Sequence, residues 1–147
     1  MFATKVTAKV VQDQSGVATE IPVILTDQGV LGSVTDYVLS LHLNGISLST
    51  ITNHIQSIRL LIEFMSANEG MFDEPEALFA AFVRRLYSGT IGEDGLDPSG
   101  LYWIPASNGT IHRHISNLTN FTNWLTDKGL GKPLNTLRTA TRHVVVN

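Results

Sequence analysis

Two segments of this chain repeat one residue pattern at an offset of 60 positions, and this repeat constrains the possible fold most strongly. Both begin with Thr-Ile, at Thr50 and Thr110, and both run toward a glycine, Gly70 or Gly129. Such self-similarity is typical of two related helical hairpins. The matched positions are Thr50-Ile51 and Thr110-Ile111, His54-Ile55 and His114-Ile115, Ile58 and Leu118, Phe64 and Trp124, and Met65 and Leu125.

A helical wheel at ~100° per residue separates an apolar from a polar side in each segment. The predicted core stripes are Ile51, Ile55, Ile58, Ile62 and Met65 in the first, and Ile111, Ile115, Leu118, Thr122 and Leu125 in the second. Roughly opposite lie Thr50, Asn53 and Ser57, and Thr110, Arg113 and Asn117. These polar residues occupy the first turns, where the helix dipole favours a phosphate. They equally fit ordinary helix capping and a solvated face, so both interpretations stay open.

The remaining sequence predicts a mainly α chain, a bundle of four to five helices with a small N-terminal β-hairpin. Alternating residues predict strands over 5–11 and 19–25. Capping residues and glycines predict four helices: Ser33 to about Asn44, Ser49 or Thr50 to about Asn68, Asp73-Glu74-Pro75 to Ser88, and Ser107–Thr110 to Lys128. Residues 90–106 form a long loop between the third and fourth, and residues 134–142 could form a short fifth helix.

Charge is distributed unevenly. Ten Lys and Arg against thirteen Asp and Glu give a net charge of −3, whereas a DNA-binding domain that acts alone is usually basic. From residue 99 onward, however, the one acid is Asp127, and the basic residues include Lys128, Lys132, Arg138 and Arg142. The chain has no cysteine, which excludes disulfides and thiolate chemistry and fits a reducing cytoplasm.

The order of these elements resembles the core-binding (SAM-like) domain of tyrosine recombinases and phage-type integrases. The likeness covers about residues 34–129 and depends on residues 45–51 (GISLSTI) with Phe64-Met65, and on residues 110–118 (TIHRHISNL) with Phe121 and Trp124-Leu125. It implies a helical bundle that clamps one side of a DNA duplex, with two helices facing the major groove. The family's catalytic residues lie in a separate C-terminal domain, and none of Tyr37, Tyr87 and Tyr102 is placed as the nucleophile. We therefore expect a chain that binds DNA without cutting it.

The resemblance gives a domain plan and a set of contacts. Residues 1–28 are the hairpin extension, 29–130 the core-binding domain, and 131–147 a linker toward a catalytic domain. The expected partners are double-stranded DNA and other recombinase subunits in a bacterial cytoplasm, with no cofactor, metal, small-molecule substrate or membrane. The predicted DNA contacts are Ser47, Ser49, Thr50, Asn53, Ser57, Thr110, Arg113, Asn117, Lys128, Lys132, Arg138 and Arg142.

Other functions have less support from the residues. A helical protein-interaction module is the main alternative, favoured by the acidic balance, and no base–nucleophile pair supports a hydrolase in the 90–106 loop. His112 and His114 lie two residues apart, which on a helix directs them to different sides, so they are not expected to share a metal. His54 and His114 flank the apolar stripes as structural histidines, and Glu93, Asp94 and Asp97 indicate a hydrated loop.

Overall fold

In the part of the chain that the structure describes, three strands precede four helices. A computed structural model describes residues 4–12, 18–26 and 29–129. The elements are β1 (Thr4–Gln12), β2 (Ala18–Thr26), β3 (Gly29–Val30), α1 (Gly32–Leu43), α2 (Leu48–Ala67), α3 (Pro75–Ser88) and α4 (Asn108–Asp127). The mainly helical class, the hairpin and the four main helices are confirmed. The possible helix at 134–142 lies outside the described residues.

The chain divides into two compact units, and the boundary falls inside α2, between Ile62 and Glu63. The hairpin, α1 and the first fifteen residues of α2 belong to the first unit, and the end of α2, α3, the 90–106 loop and α4 belong to the second. The predicted domain limits at residues 28 and 130 stay predictions.

In the first unit, β2 pairs antiparallel with both β1 and β3 and packs on α1. Ile21, Val23 and Ile24 of β2 are buried, as are Val34 and Val38 of α1. Because an isolated hairpin is marginal in water, the packing of β2 on α1 supplies the apolar cover that this sheet requires.

The predicted helix start at Ser33 is wrong, because α1 begins at Gly32 and the N-cap position is Leu31, which has no side-chain cap. The Leu31 amide donates to the Ile24 carbonyl of β2 over 3.1 Å. A tertiary hydrogen bond therefore sets the start of α1. The short strand β3, which the sequence pattern did not indicate, leads directly into it.

The apolar stripe of α2 is confirmed in its first half, since Ile51, Ile55 and Ile58 are buried, whereas Met65 is 44% exposed. Met65 as a core residue is therefore a wrong prediction. Phe64, one position earlier, occupies the core. The stripe of α4 is confirmed throughout, from Ile111 to Leu125.

Aromatic rings form the core of the second unit. The Phe82 ring lies 5.7 Å from Phe64, 5.9 Å from Phe79 and 5.9 Å from Trp103, measured between centroids. Phe64 and Trp103 stack at 5.8 Å. Trp103 belongs to the 90–106 loop, so this long loop is anchored by an aromatic side chain that packs on α2 and α3.

The start of α3 follows from its proline. Pro75 occupies the first turn and Glu74 is the N-cap, in an extended conformation with φ −116° and ψ 133° and no side-chain cap. A residue before proline is restricted to this conformation. The predicted position is confirmed, and the predicted capping by Asp73 is wrong.

Candidate nucleic-acid interface

The helices α2 and α4 begin with the same arrangement of hydroxyl groups. Ser47 Oγ accepts from the Thr50 amide over 3.3 Å and donates to Thr50 Oγ1 over 2.9 Å. Ser107 Oγ accepts from the Thr110 amide over 3.3 Å and donates to Thr110 Oγ1 over 3.0 Å. Each serine thus acts as an N-cap. Because each threonine oxygen accepts from its serine, its own hydrogen remains available to a further acceptor.

The capping serines extend the internal repeat by one position that sequence reasoning missed. The α2 cap was expected at Ser49 or Thr50, but Ser47 fills this role. The signal was present, because the 60-residue offset places Ser47 on Ser107. Capping accounts for Ser47, Thr50 and Thr110 as structural residues, whatever else they contact.

Two predicted contact residues are not on the open face. Ser57 is fully buried and Asn117 is 8% exposed, so neither can reach a phosphate as predicted. They are equivalent positions of the repeat. The Ser57 hydroxyl donates to the Asn53 carbonyl one turn earlier, over 3.3 Å, which allows burial of this polar group. A helical wheel gives the direction of a side chain but not how far other elements cover the helix.

The other predicted residues at the helix starts are accessible. Ser47, Ser49, Thr50 and Asn53 are exposed at the start of α2, while Arg113 is exposed and Thr110 half-buried at the start of α4. Ser47, Ser49 and Thr50 form one hydroxyl cluster, since Ser47 Oγ lies 3.3 Å from Ser49 Oγ. The α2 residues belong to the first unit and the α4 residues to the second, so they form two sets.

Both helix starts are free of carboxylates. Neither α2 nor α4 has an acid in its first turn, and none occurs in residues 48–62 or 108–126. Within the described part of the chain, no carboxylate pairs with Arg113. Lys128 is exposed directly after α4, and Lys132, Arg138 and Arg142 lie outside the described residues.

The two equivalent histidines have structural environments. The His54 ring meets Tyr37 edge to face at 6.1 Å, with Tyr37 Oη 3.4 Å from Nδ1. Burial lowers the pKa of His54 and raises that of Tyr37 to about 12. His114 is buried, and its pKa is lowered by burial first and by the Arg113 charge second. His112 is exposed, so the two neighbouring histidines of α4 do point to different sides.

These histidines predict a loss of stability on acidification. An unfolded histidine has a pKa of about 6.5, above that of folded His54 or His114, so acid favours the unfolded chain. The stabilisation is complete above about pH 6.5 and is lost as the pH falls toward the folded pKa values. Urea titrations from about pH 5 to pH 7.5 on the wild type and on a His54→Gln, His114→Gln variant measure this. The variant should show a flatter profile than the His112→Gln control. Identical profiles in all three proteins would refute the assignment.

Asp97 was predicted to lie in a hydrated loop, but it is buried and organises the 90–106 loop. Its Oδ1 accepts from the Ser99 amide at 2.8 Å and the Ser99 hydroxyl at 2.6 Å, and its Oδ2 accepts from the Tyr102 amide at 2.8 Å. Burial by itself raises the pKa of Asp97, but hydrogen bonds from Ser99, Thr90 and Tyr102 outweigh it and hold the pKa well below its usual range. The Asp97 carboxylate therefore has a structural role, and its oxygens are occupied by hydrogen bonds from the loop.

A cleft of about 220 Å³ opens beside Asp97, lined by Phe64, Asn68, Arg85, Thr90, Asp97, Pro98, Ser99 and Leu101. It is smaller than typical small-molecule sites of ~300–1,000 Å³. The Ser99 hydroxyl and the Asp97 carboxylate line it together, but the lowered pKa of Asp97 makes this carboxylate too weak a base to activate the hydroxyl. The cleft therefore offers no support for a hydrolase.

The described ranges 4–12, 18–26 and 29–129 hold neither a metal-binding cluster nor a membrane-spanning helix. No group of three or more His, Asp or Glu residues there is arranged to hold a metal ion. In the same ranges, no helix combines the length and apolar character needed to cross a membrane. Comparisons with protein-family models, curated proteins and solved structures found no match to this chain.

Proposed function

We propose that this chain is a DNA-binding module that holds a duplex for a site-specific tyrosine recombinase, in the manner of the core-binding domain that it resembles. Strand cleavage and rejoining would belong to a separate catalytic domain of the recombinase, and the other partners would be further recombinase subunits. The protein would act on DNA in a bacterial cytoplasm.

One observation carries the proposal: two exposed helix starts are built alike, and both lack acids. Each places a serine–threonine hydroxyl pair at the positive end of a helix dipole, which is a favourable position for a phosphate oxygen. Arg113 adds a cation one turn into α4. Contacts of this kind set the position of a protein on a duplex without reading its sequence.

The burial of two side chains removes them from the proposed DNA contacts. Ser57 and Asn117 are withdrawn, which leaves Ser47, Ser49, Thr50 and Asn53 on α2, Thr110 and Arg113 on α4, and the basic residues that follow α4. Ser49, Asn53 and Arg113 carry the most weight because they are exposed and do not serve as caps.

Arg113→Ala is expected to weaken duplex binding for any DNA sequence. Loss of one phosphate contact reduces the slope of log Kd against log salt by about 0.9. Fluorescence anisotropy with a random duplex over a series of salt concentrations measures both effects. The matched control is Arg84→Ala, which removes the same charge from an exposed position of α3 and should leave the slope unchanged. Absence of binding at low salt, or equal effects of the two variants, would contradict the DNA interface.

A protein-interaction module remains a second candidate, because large apolar side chains are exposed where α1 turns into α2. Leu43 is 79% exposed and Leu48 is 55% exposed, and such surfaces often contact other proteins. If the chain self-associates in sedimentation equilibrium and Leu43→Ser abolishes this without affecting folding, while duplex binding is absent, this second function is favoured.

A further inference from the structure

The 90–106 loop exposes four large apolar side chains. Ile91 is 40% exposed, Leu96 61%, Tyr102 52% and Ile104 75%. Thr90 and Trp103 are paired, since the Thr90 amide donates to the Trp103 carbonyl at 3.0 Å and the Trp103 amide to Thr90 Oγ1 at 2.9 Å. Ile91 and Tyr102 are the sequence neighbours of this pair inside the loop. We call Ile91, Glu93, Asp94, Leu96, Tyr102 and Ile104 the loop surface.

Apart from the Asp94 oxygen that accepts from the Leu96 amide, the loop keeps its shape without the loop-surface side chains. Trp103 anchors it in the aromatic core, and Asp97 holds Ser99 and Tyr102 through their amides. Tyr102 adopts a left-handed conformation with φ 53°, which is costly for a residue with a side chain. The hydrogen bond that the Tyr102 amide donates to Asp97 Oδ2 holds the backbone in this conformation while the ring stays exposed. The loop backbone is therefore ordered by other contacts, and its exposed apolar side chains do not contribute to the core.

Charge decides what kind of partner this surface fits. Glu93 and Asp94 are exposed in the same loop, and residues 90–106 contain no Lys or Arg. Such a surface repels DNA phosphates. It is complementary to a segment that is both basic and apolar.

Residues 130–147 form such a segment. It has no acid, carries Lys132, Arg138 and Arg142, and ends in a run of valines, Val144–Val146. We infer that its distal half, from about Arg138 onward, docks on the loop surface of the same molecule. In the free chain, Arg138 and Arg142 would pair with Glu93 and Asp94, while the valines cover Leu96, Tyr102 and Ile104, so bound DNA would have to displace these two arginines from the loop.

The length of the segment fits this arrangement. The loop ends at the start of α4, and the segment follows the end of α4, so the distance to cover is about the length of a 20-residue helix, or roughly 30 Å. Nine or ten extended residues span that distance at ~3.3 Å each. An extended segment would therefore be long enough to reach the loop from about residue 139 onward. A tethered segment also binds at a high effective concentration.

A spin label tests this contact in the full chain. The protein has no cysteine, so Val145→Cys accepts a single nitroxide. We expect selective broadening of the amide signals of Ile91–Leu96 and of Tyr102–Ile104. Glu93→Lys with Asp94→Asn, which keeps the Asp94 side-chain oxygen that accepts from the Leu96 amide, should abolish it. Arg138→Glu with Arg142→Glu in that background should restore it.

The matched control is Glu74→Lys with Glu76→Gln, an equal change of charge at two exposed acids near the start of α3. The amide signals of the loop should still be broadened in this control variant. Absence of broadening in the wild type, or an equal loss in the control, overturns the inference. So does broadening of unlabelled chains by labelled ones, since the contact would then join two molecules. DNA binding is not part of this measurement, so failure here leaves the proposed function standing and is distinguishable from it.

Discussion

Phe82→Ala is expected to lower the free energy of unfolding by about 3–5 kcal/mol. The Phe82 side chain is fully buried, and its ring contacts those of Phe64, Phe79 and Trp103. Truncation removes the transfer free energy of the ring and leaves a cavity that the surrounding rings cannot fill, since they are held by α2, α3 and the 90–106 loop. Urea titration followed by tryptophan fluorescence measures the loss, and Trp103 reports directly on the cluster.

Phe72→Ala is the matched control, because it deletes the same ring from a half-buried position. Phe72 lies 6.4 Å from Phe64, at the edge of the cluster, so its loss should cost clearly less. Should Phe82→Ala fail to fold, Phe82→Leu retains most of the apolar volume and should give a smaller, measurable loss. Equal losses at Phe72 and Phe82 would show that the cluster is not centred on Phe82.

Gly89→Ala is expected to lower the free energy of unfolding by about 2–5 kcal/mol. Gly89 has φ 73° and ψ 179°, a conformation that is essentially limited to glycine. A Cβ atom there would lie 2.7 Å from the Trp103 carbonyl oxygen and 3.1 Å from Pro105 Cδ. The Trp103 backbone would have to move, which weakens its hydrogen bond from the Thr90 amide and disturbs the ring stacking on Phe64.

Gly45→Ala separates the two causes. Gly45 also has a positive φ, 77°, but a Cβ atom there meets open space. Gly45→Ala should therefore lower the free energy of unfolding by about 1–2 kcal/mol, through backbone strain alone. Chemical denaturation of both variants gives the comparison, and an equal loss at the two glycines would rule out the close approach of Trp103 as the reason for glycine at position 89.

The local features of α2 and α4 could be predicted because their causes lie within one or two helical turns. A capping serine contacts the amide three residues later, and an apolar stripe follows the period of the helix. The 60-residue repeat, the fourth helix and its cap at Ser107 were predictable on these grounds. The Ser47 cap could also have been found by applying the offset to one further position.

The sequence predicted which helix faces form the candidate interface, but not which residues of those faces are exposed. Exposure of Ser49, Asn53 and Arg113 agrees with the wheel, whereas burial of Ser57 and Asn117 does not. All five residues lie on the polar side of their helices, so the angle alone cannot separate them. The separation depends on which elements cover each helix, and that information is not contained in the helix itself.

The amino-acid sequence by itself determined the helices, their glycine ends and the apolar stripes, because these depend on residues within about four positions of each other. Tertiary structure decided the features that depend on residues far apart in the chain. The Leu31 amide needs the Ile24 carbonyl to start α1, and Trp103 needs Thr90, thirteen residues away, to enter the aromatic core. Asp97 changes from a hydrated acid into a buried loop centre because folding brings the Thr90 hydroxyl and the Tyr102 amide to its carboxylate. Only that gathering of donors can offset the cost of burying its charge.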